Sequence, residues 1–201
     1  MTTQPGSRMT VRLATVMLGL TACALGAAPV QAAADSATYA APAPTQAQWK
    51  KQQLRFDFTG FTTAYSCYGI EDKVRSILLE FGAAPDAKVQ ATGCPAGPDR
   101  PSKMIWVSAD FSALAPLSEA EAAAAKPADV VKVQWVKVEL SPNRPSYMGE
   151  GECELVDNMH DLLNKGFVLH NADYHTSCMP HQITLGDYHV HAEVMKPLAG
   201  K

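Results

Sequence analysis

Four cysteines in the last two thirds of the chain form two similarly spaced pairs. Cys67 and Cys94 are 27 positions apart (94 − 67), and Cys153 and Cys178 are 25 positions apart (178 − 153). Each second cysteine ends a Thr-x-Cys, and each first cysteine begins a run with the apolar spacing of a helix. The pattern predicts an internal duplication with one cysteine pair in each copy. The alternative is chance similarity between two ordinary α+β segments.

The N-terminal segment has the composition of a secretory signal peptide. Residues 1–32 carry two arginines and no acid, and residues 30–32 supply the small residues of a cleavage site. The apolar run 13–28 is too short to predict a transmembrane span. We therefore expect a periplasmic or secreted protein. Residues 20–23 also read as a lipobox, which would make Cys23 a lipid anchor and the protein a membrane-tethered lipoprotein.

Export decides how the four remaining cysteines are interpreted. An oxidising compartment favours disulfides over free thiols or thiolate metal ligands. Four cysteines allow three connectivities, and the repeat selects Cys67 with Cys94 and Cys153 with Cys178. We expect each bridge to stabilise the fold by about 3 kcal/mol by restricting the unfolded chain.

Composition divides the chain after the signal peptide into two parts. Residues 33–53, which begin with an Ala/Pro-rich stretch, predict a disordered lead-in. Residues 54–198 predict a single domain made of repeat one (54–114), a connector (115–129) and repeat two (130–198). One shared core is expected because halves of about 60 residues bury proportionally little surface alone.

Each repeat reads as strand, helix, strand, strand. Gly82 and Gly166 are expected to end the two long helices, and Ser118 with Glu121 predicts a capping box in the connector. Two such units predict an α+β fold: one predominantly antiparallel sheet with both helices on one face and one disulfide per repeat.

Several short stretches carry a resemblance to known proteins. Residues 58–63, 65–67, 71–75 and 151–155 resemble a group of short exported proteobacterial proteins. The resemblance covers most of the chain after residue 54. It implies export and the disulfides of an exported protein, and it implies no reaction and no ligand.

All six histidines lie in the second half of the chain, and two of them form a His-x-His. On the last predicted strand, His189 and His191 lie on the face opposite the apolar residues Tyr188 and Val190. Two imidazoles side by side suit a zinc or copper ion. The alternative is a solvated face on a half-exposed strand. A further ligand would come from Glu193, His170, His175 or His181.

The sheet face away from the helices is also a candidate recognition surface. Met104, Trp106 and Trp135 are expected there, where a periplasmic protein or a small ligand would bind. Trp135 would instead face the core if the register of its strand differed by one residue.

Other function classes have little support. The net charge of −3 and the lack of clustered Lys and Arg argue against nucleic acid as a partner. The chain has no nucleophile elbow, phosphate loop, His-Glu-x-x-His or Cys-x-x-Cys motif, so a hydrolase or redox enzyme ranks third. The predicted function is a non-enzymatic binding or accessory protein that needs no cofactor. Zinc or copper binding is the alternative.

Overall fold

A computed structural model describes residues 45–179 and 185–198 of the chain. The predictions for the signal peptide, Cys23 and His181 lie outside the described residues. None of the described helices combines the length and the apolar character that crossing a membrane requires.

The described residues form six strands, three α-helices and a short 3-10 turn at Pro127–Asp129. In chain order these elements are β1 (Thr45–Thr59), α1 (Cys67–Glu80), β2 (Lys88–Thr92), β3 (Met104–Pro116), α2 (Glu119–Ala124), β4 (Val131–Leu140), α3 (Cys153–Gly166), β5 (Leu169–Thr176) and β6 (Tyr188–Pro197).

The strands form one open antiparallel sheet in the order β2-β3-β1-β4-β6-β5. The α+β class and the antiparallel sheet are confirmed. The order is symmetric about its centre, because β1, β3 and β2 follow one another outward on one side as β4, β6 and β5 do on the other. At that centre, β1 pairs with β4 only at Thr45, Gln46 and Ala47.

Both long helices bury their apolar stripes in one core on one face of the sheet. Ile70 and Ile77 of α1 and Leu155 and Leu163 of α3 are almost fully buried there. The sheet contributes alternate residues, as strand geometry requires. They are Ile105, Val107, Ala109 and Phe111 of β3, and Tyr188, Val190, Ala192 and Val194 of β6.

The opposite face of the sheet, called the open face below, has a smaller apolar cluster of its own. Ala47, Leu114, Val133 and Met195 are buried in it, and Trp135 packs against it. Ala47 belongs to β1, which begins at Thr45, so residues 45–53 are strand rather than lead-in. Their pairing with β4 at residues 45–47 and with β3 from Ala47 onward explains the early start, because it satisfies their backbone groups despite the polar sequence.

The two helix-terminal glycines have different roles. Gly82 follows α1 with φ 89°, and a Cβ there would lie 2.7 Å from the Met195 carbonyl oxygen. Gly166 is the last residue of α3, and a Cβ there would lie 3.0 Å from Cζ of Phe111. Gly82 thus serves a turn, while Gly166 allows the end of α3 to pack against β3 and β1. The predicted capping box of Ser118 and Glu121 is present at α2.

The two predicted disulfides are present. Cys67 with Cys94 and Cys153 with Cys178 have Cα–Cα distances of 6.1 Å and 5.7 Å. Each bridge joins the first residue of a long helix to the segment that follows the next strand. Disulfides of this kind favour a compartment other than the cytoplasm.

Candidate metal centre and neighbouring surfaces

The β6 strand places His189 and His191 on the open face, because the alternate residues Tyr188 and Val190 are buried beneath the helices. The neighbouring strands add residues to the same face, since directly paired residues share one side of a sheet. His191 pairs with Glu139 of β4 and with Asp173 of β5, and His189 pairs with His175 of β5.

Three of these side chains bring metal-binding atoms together. The ligand atoms of Glu139, His189 and His191 all lie within 4.8 Å of one another. A zinc ion holds nitrogen and oxygen ligands at about 2.0–2.2 Å, so two ligands of one ion lie no more than about 4.4 Å apart. Small side-chain rotations would therefore let all three bind a single ion.

The Glu139 carboxylate is prepared to act as a charged ligand. It accepts a hydrogen bond from the Ser141 hydroxyl at 2.9 Å and forms an ion pair with Arg144 at 3.5 Å. The pKa of Glu139 is lowered from its ordinary value mainly by the Ser141 hydrogen bond, and further by the charges of Arg144 and His191. Glu139 would therefore need no deprotonation to bind a cation at neutral pH.

An acidic neighbour orients the His189 ring. Nε2 of His189 lies 3.2 Å from the Asp187 carboxylate. The His189 and His191 rings are parallel within 1°, with centroids 6.1 Å apart. A carboxylate beside a ligand histidine is the usual device that fixes the tautomer and the ring orientation.

The other predicted ligands lie outside this three-residue group. Glu193 is only 5% exposed and accepts a hydrogen bond from the Asn171 side chain at 2.9 Å. His170 stacks on Trp135 with ring centroids 3.8 Å apart. His175 lies beside the group, opposite His189. Glu139 was not among the predicted ligands, because it joins the histidines only through the β4–β6 register. The alternation of apolar and polar residues within one strand does not predict that register.

The aromatic residues predicted as one recognition surface lie at opposite ends of the sheet. Met104 and Trp106 are 61% and 54% exposed, and Trp106 pairs with Asp57 of β1. Trp135 lies two residues after Val133 on β4, and Val133 pairs with Thr45 at the start of β1. The 12 residue steps of β1 from Thr45 to Asp57 (57 − 45) span about 40 Å. Met104 and Trp106 therefore form one patch, and Trp135 belongs to another.

The patch of Met104 and Trp106 adjoins a shallow depression on the open face. Its volume is about 340 Å³, and its rim combines one cation and one acid with neutral polar groups. The side chains around it on the open face are Arg55, Asp57, Gln90, Thr92, Trp106 and Ser108.

A largely buried ion pair that joins α1 to the start of α3 was not predicted. Nζ of Lys73 on α1 lies 2.6 Å from the carboxylate of Glu152, the residue before α3, and also donates to the Tyr147 carbonyl. The second Glu152 oxygen and the Tyr65 hydroxyl are buried without a hydrogen-bond partner of good geometry. Burial, and secondarily the Glu152 charge, raises the pKa of Tyr65 far above its ordinary value.

The acid and histidine cluster of α3 is engaged in packing. The Tyr174 hydroxyl donates to Asp157, and the Tyr174 ring stacks on His160 with centroids 4.0 Å apart. His160 also contacts Asn164 at 3.1 Å and Asp161 at 3.4 Å. Burial is the main cause of a raised pKa at Asp157. These contacts tie α3 to β5 and give no support to an acid and base pair.

Comparison of the chain with protein families, with curated proteins and with solved structures found no match. A proposal about function therefore depends on the residues and geometry described above.

Proposed function

We propose that this is an exported, non-enzymatic binding protein and that its ligand is a zinc or copper ion. One observation carries the proposal: the ligand atoms of Glu139, His189 and His191 converge within 4.8 Å. Imidazole and carboxylate are ligands that both metals accept. The ligands come from two directly paired strands of a sheet, so the backbone fixes their spacing before any metal binds.

The fold supports the exported setting of this proposal. The two disulfides suit an oxidising compartment, which we propose to be the periplasm, reached by cleavage after residue 32. We also propose that the two halves arose by duplication, which the symmetric strand order supports. In that case the two copies have diverged in histidine content, because the first half has none.

Metal analysis of the untagged protein tests the proposal. We expect about one zinc or copper ion per chain, and a rise in unfolding free energy of about 2.7 kcal/mol at a metal concentration 100 times Kd. The H189A/H191A double variant should lose both effects. His170→Ala is the matched control, because it removes an open-face histidine that stacks on Trp135. Equal metal content in wild type and the double variant would refute the proposal.

The patch of Met104 and Trp106 supports a second candidate function, recognition of a protein partner. Two large apolar side chains more than half exposed on one strand end are the observation that favours it. Trp106→Gln should weaken capture of a partner from a periplasmic extract. Trp49→Gln, which changes another exposed tryptophan of the sheet, is the control. Unchanged capture by Trp106→Gln would exclude this patch.

A further inference from the structure

We infer that His175 is the fourth ligand and that the completed site is a tetragonal copper(II) site. The inference rests on the proposed metal-binding function and adds a ligand, a geometry and a metal to it. Three protein ligands leave at least one coordination position for a fourth donor. Either a protein side chain or an outside molecule takes that position, and the two cases imply different roles.

The register of β5 and β6 offers two side chains, His175 beside His189 and Asp173 beside His191, and of these the imidazole is the ligand type that suits copper. His175 pairs directly with His189, so both imidazoles stand on the open face. Directly opposed residues have Cβ atoms about 4.5–5.5 Å apart, which is within reach of two ligands of one ion. His175 is exposed, so its side chain has room to change rotamer and join the group.

The positions of the four donors favour a planar arrangement. His189 and His191 lie two residues apart along β6, and a metal between them would lie above that strand. Glu139 approaches from β4 on one side, beside His191. His175 approaches from β5 on the other side, beside His189. Four nitrogen and oxygen donors placed around one point on a sheet surface match the tetragonal geometry of copper(II).

The surrounding charges favour a cation. The Asp187 carboxylate lies 3.2 Å from His189, and Asp173 pairs with His191. Together with Glu139 these make three carboxylates, whereas the cations found beside them in the described part of the chain are Arg144, which pairs with Glu139, and Lys137, which lies two residues before Glu139 on the same face. Acids clustered on one face raise the local concentration of cations. With four protein ligands around the metal, no ligand position in that plane stays free for a substrate. The site would therefore bind copper without catalysing a reaction.

Electron paramagnetic resonance of the copper(II)-loaded, disulfide-bonded protein tests the inference. Wild type should give a tetragonal spectrum with couplings from three nitrogens. His175→Ala should retain copper but show two nitrogens, and its copper affinity should fall by about tenfold or more, since even residues behind the ligands are worth that much. His170→Ala is the control on the same strand and should match wild type.

The outcomes separate the inference from the proposal beneath it. Wild-type protein that binds neither zinc nor copper would refute both, and wild-type protein that binds zinc but no copper would overturn the inference alone. Wild type that binds copper through two nitrogens, with His175→Ala identical in spectrum and affinity, would overturn the inference and leave the three-residue site standing. Both replaced histidines are exposed, so the copper-free His175→Ala and His170→Ala variants should remain folded. Circular dichroism and the denaturant midpoint would show this.

Discussion

Replacing Lys73 with Met should destabilise the fold far more than replacing a surface lysine. Lys73 and Glu152 are 2.6 Å apart, and their side chains are only 16% and 9% exposed. Lys73→Met leaves the Glu152 carboxylate buried without its counter-charge, which in other proteins costs about 3–5 kcal/mol.

Urea unfolding followed by tryptophan fluorescence measures this cost. With an m value of about 2 kcal/mol/M, a loss of about 3–5 kcal/mol lowers the midpoint by about 1.5–2.5 M. Lys196→Met is the matched control, because Lys196 pairs with Glu80 at 3.4 Å and both side chains are about one-third exposed. An exposed pair of this kind contributes about 0–1 kcal/mol.

The double variant K73M/E152L decides whether the loss comes from the unpaired charge. Two apolar side chains of similar size leave no charge behind, so the double variant should lie close to wild type. Its stability should exceed that of Lys73→Met by about 3 kcal/mol or more. A single variant that loses less than about 1 kcal/mol, as a surface pair would, contradicts the reasoning. A double variant whose loss of unfolding free energy equals the sum of the two single-variant losses also contradicts it.

Three further predictions follow from other parts of the molecule. Burial is the largest cause of a raised pKa at Tyr65, Tyr147 and Tyr188 in the folded protein. The stability should therefore be constant up to the ordinary tyrosine pKa of about 10 and fall above it, because only the unfolded chain then ionises these groups. Denaturant midpoints measured at rising pH test this, and a flat profile contradicts it. Gly82→Ala should lower the melting temperature more than Gly97→Ala. Both glycines have positive φ, but a Cβ at Gly82 would lie 2.7 Å from the Met195 carbonyl oxygen, whereas one at Gly97 would have no neighbour within 4 Å. Equal decreases in melting temperature would contradict this packing. The C67S/C94S variant should lose about 3 kcal/mol of unfolding free energy, and an unchanged midpoint would mean that the bridge does not constrain the unfolded chain.

Local periodicity predicted the parts of the fold that depend on neighbouring residues. The apolar spacing of Ile70 and Ile77 gave α1, and the alternation from Tyr188 onward gave β6 with its histidines outward. Cysteine spacing gave both disulfides. In each case the signal lies within a few residues or repeats itself, so the sequence contains it in full.

The parts that were missed depend on long-range pairing. Glu139 joins the histidines only through the β4–β6 register, and Lys73 meets Glu152 from 79 positions away (152 − 73). The early residues of β1 are polar and gain their strand conformation from β3, a partner some 60 positions later in the chain. The separation of Trp106 from Trp135 likewise follows from how β1 is shared between its neighbours. No alternation within one segment carries this information.

The short contact between β1 and β4 has a consequence for the way the domain opens. Only Thr45, Gln46 and Ala47 join the two halves of the sheet, whereas β1 pairs with β3 from Ala47 to Thr59. Much of the remaining connection passes through α3, where Gly166 packs against Phe111 and Leu54 of the first half. Local opening is easiest where few hydrogen bonds hold two strands together, so deuterium should enter the amides of this seam before those of the longer β1–β3 pairing. Motion of one half against the other would then pivot at the first residues of β1 and be limited by both ends of α3, since its start is tied to Lys73 through Glu152.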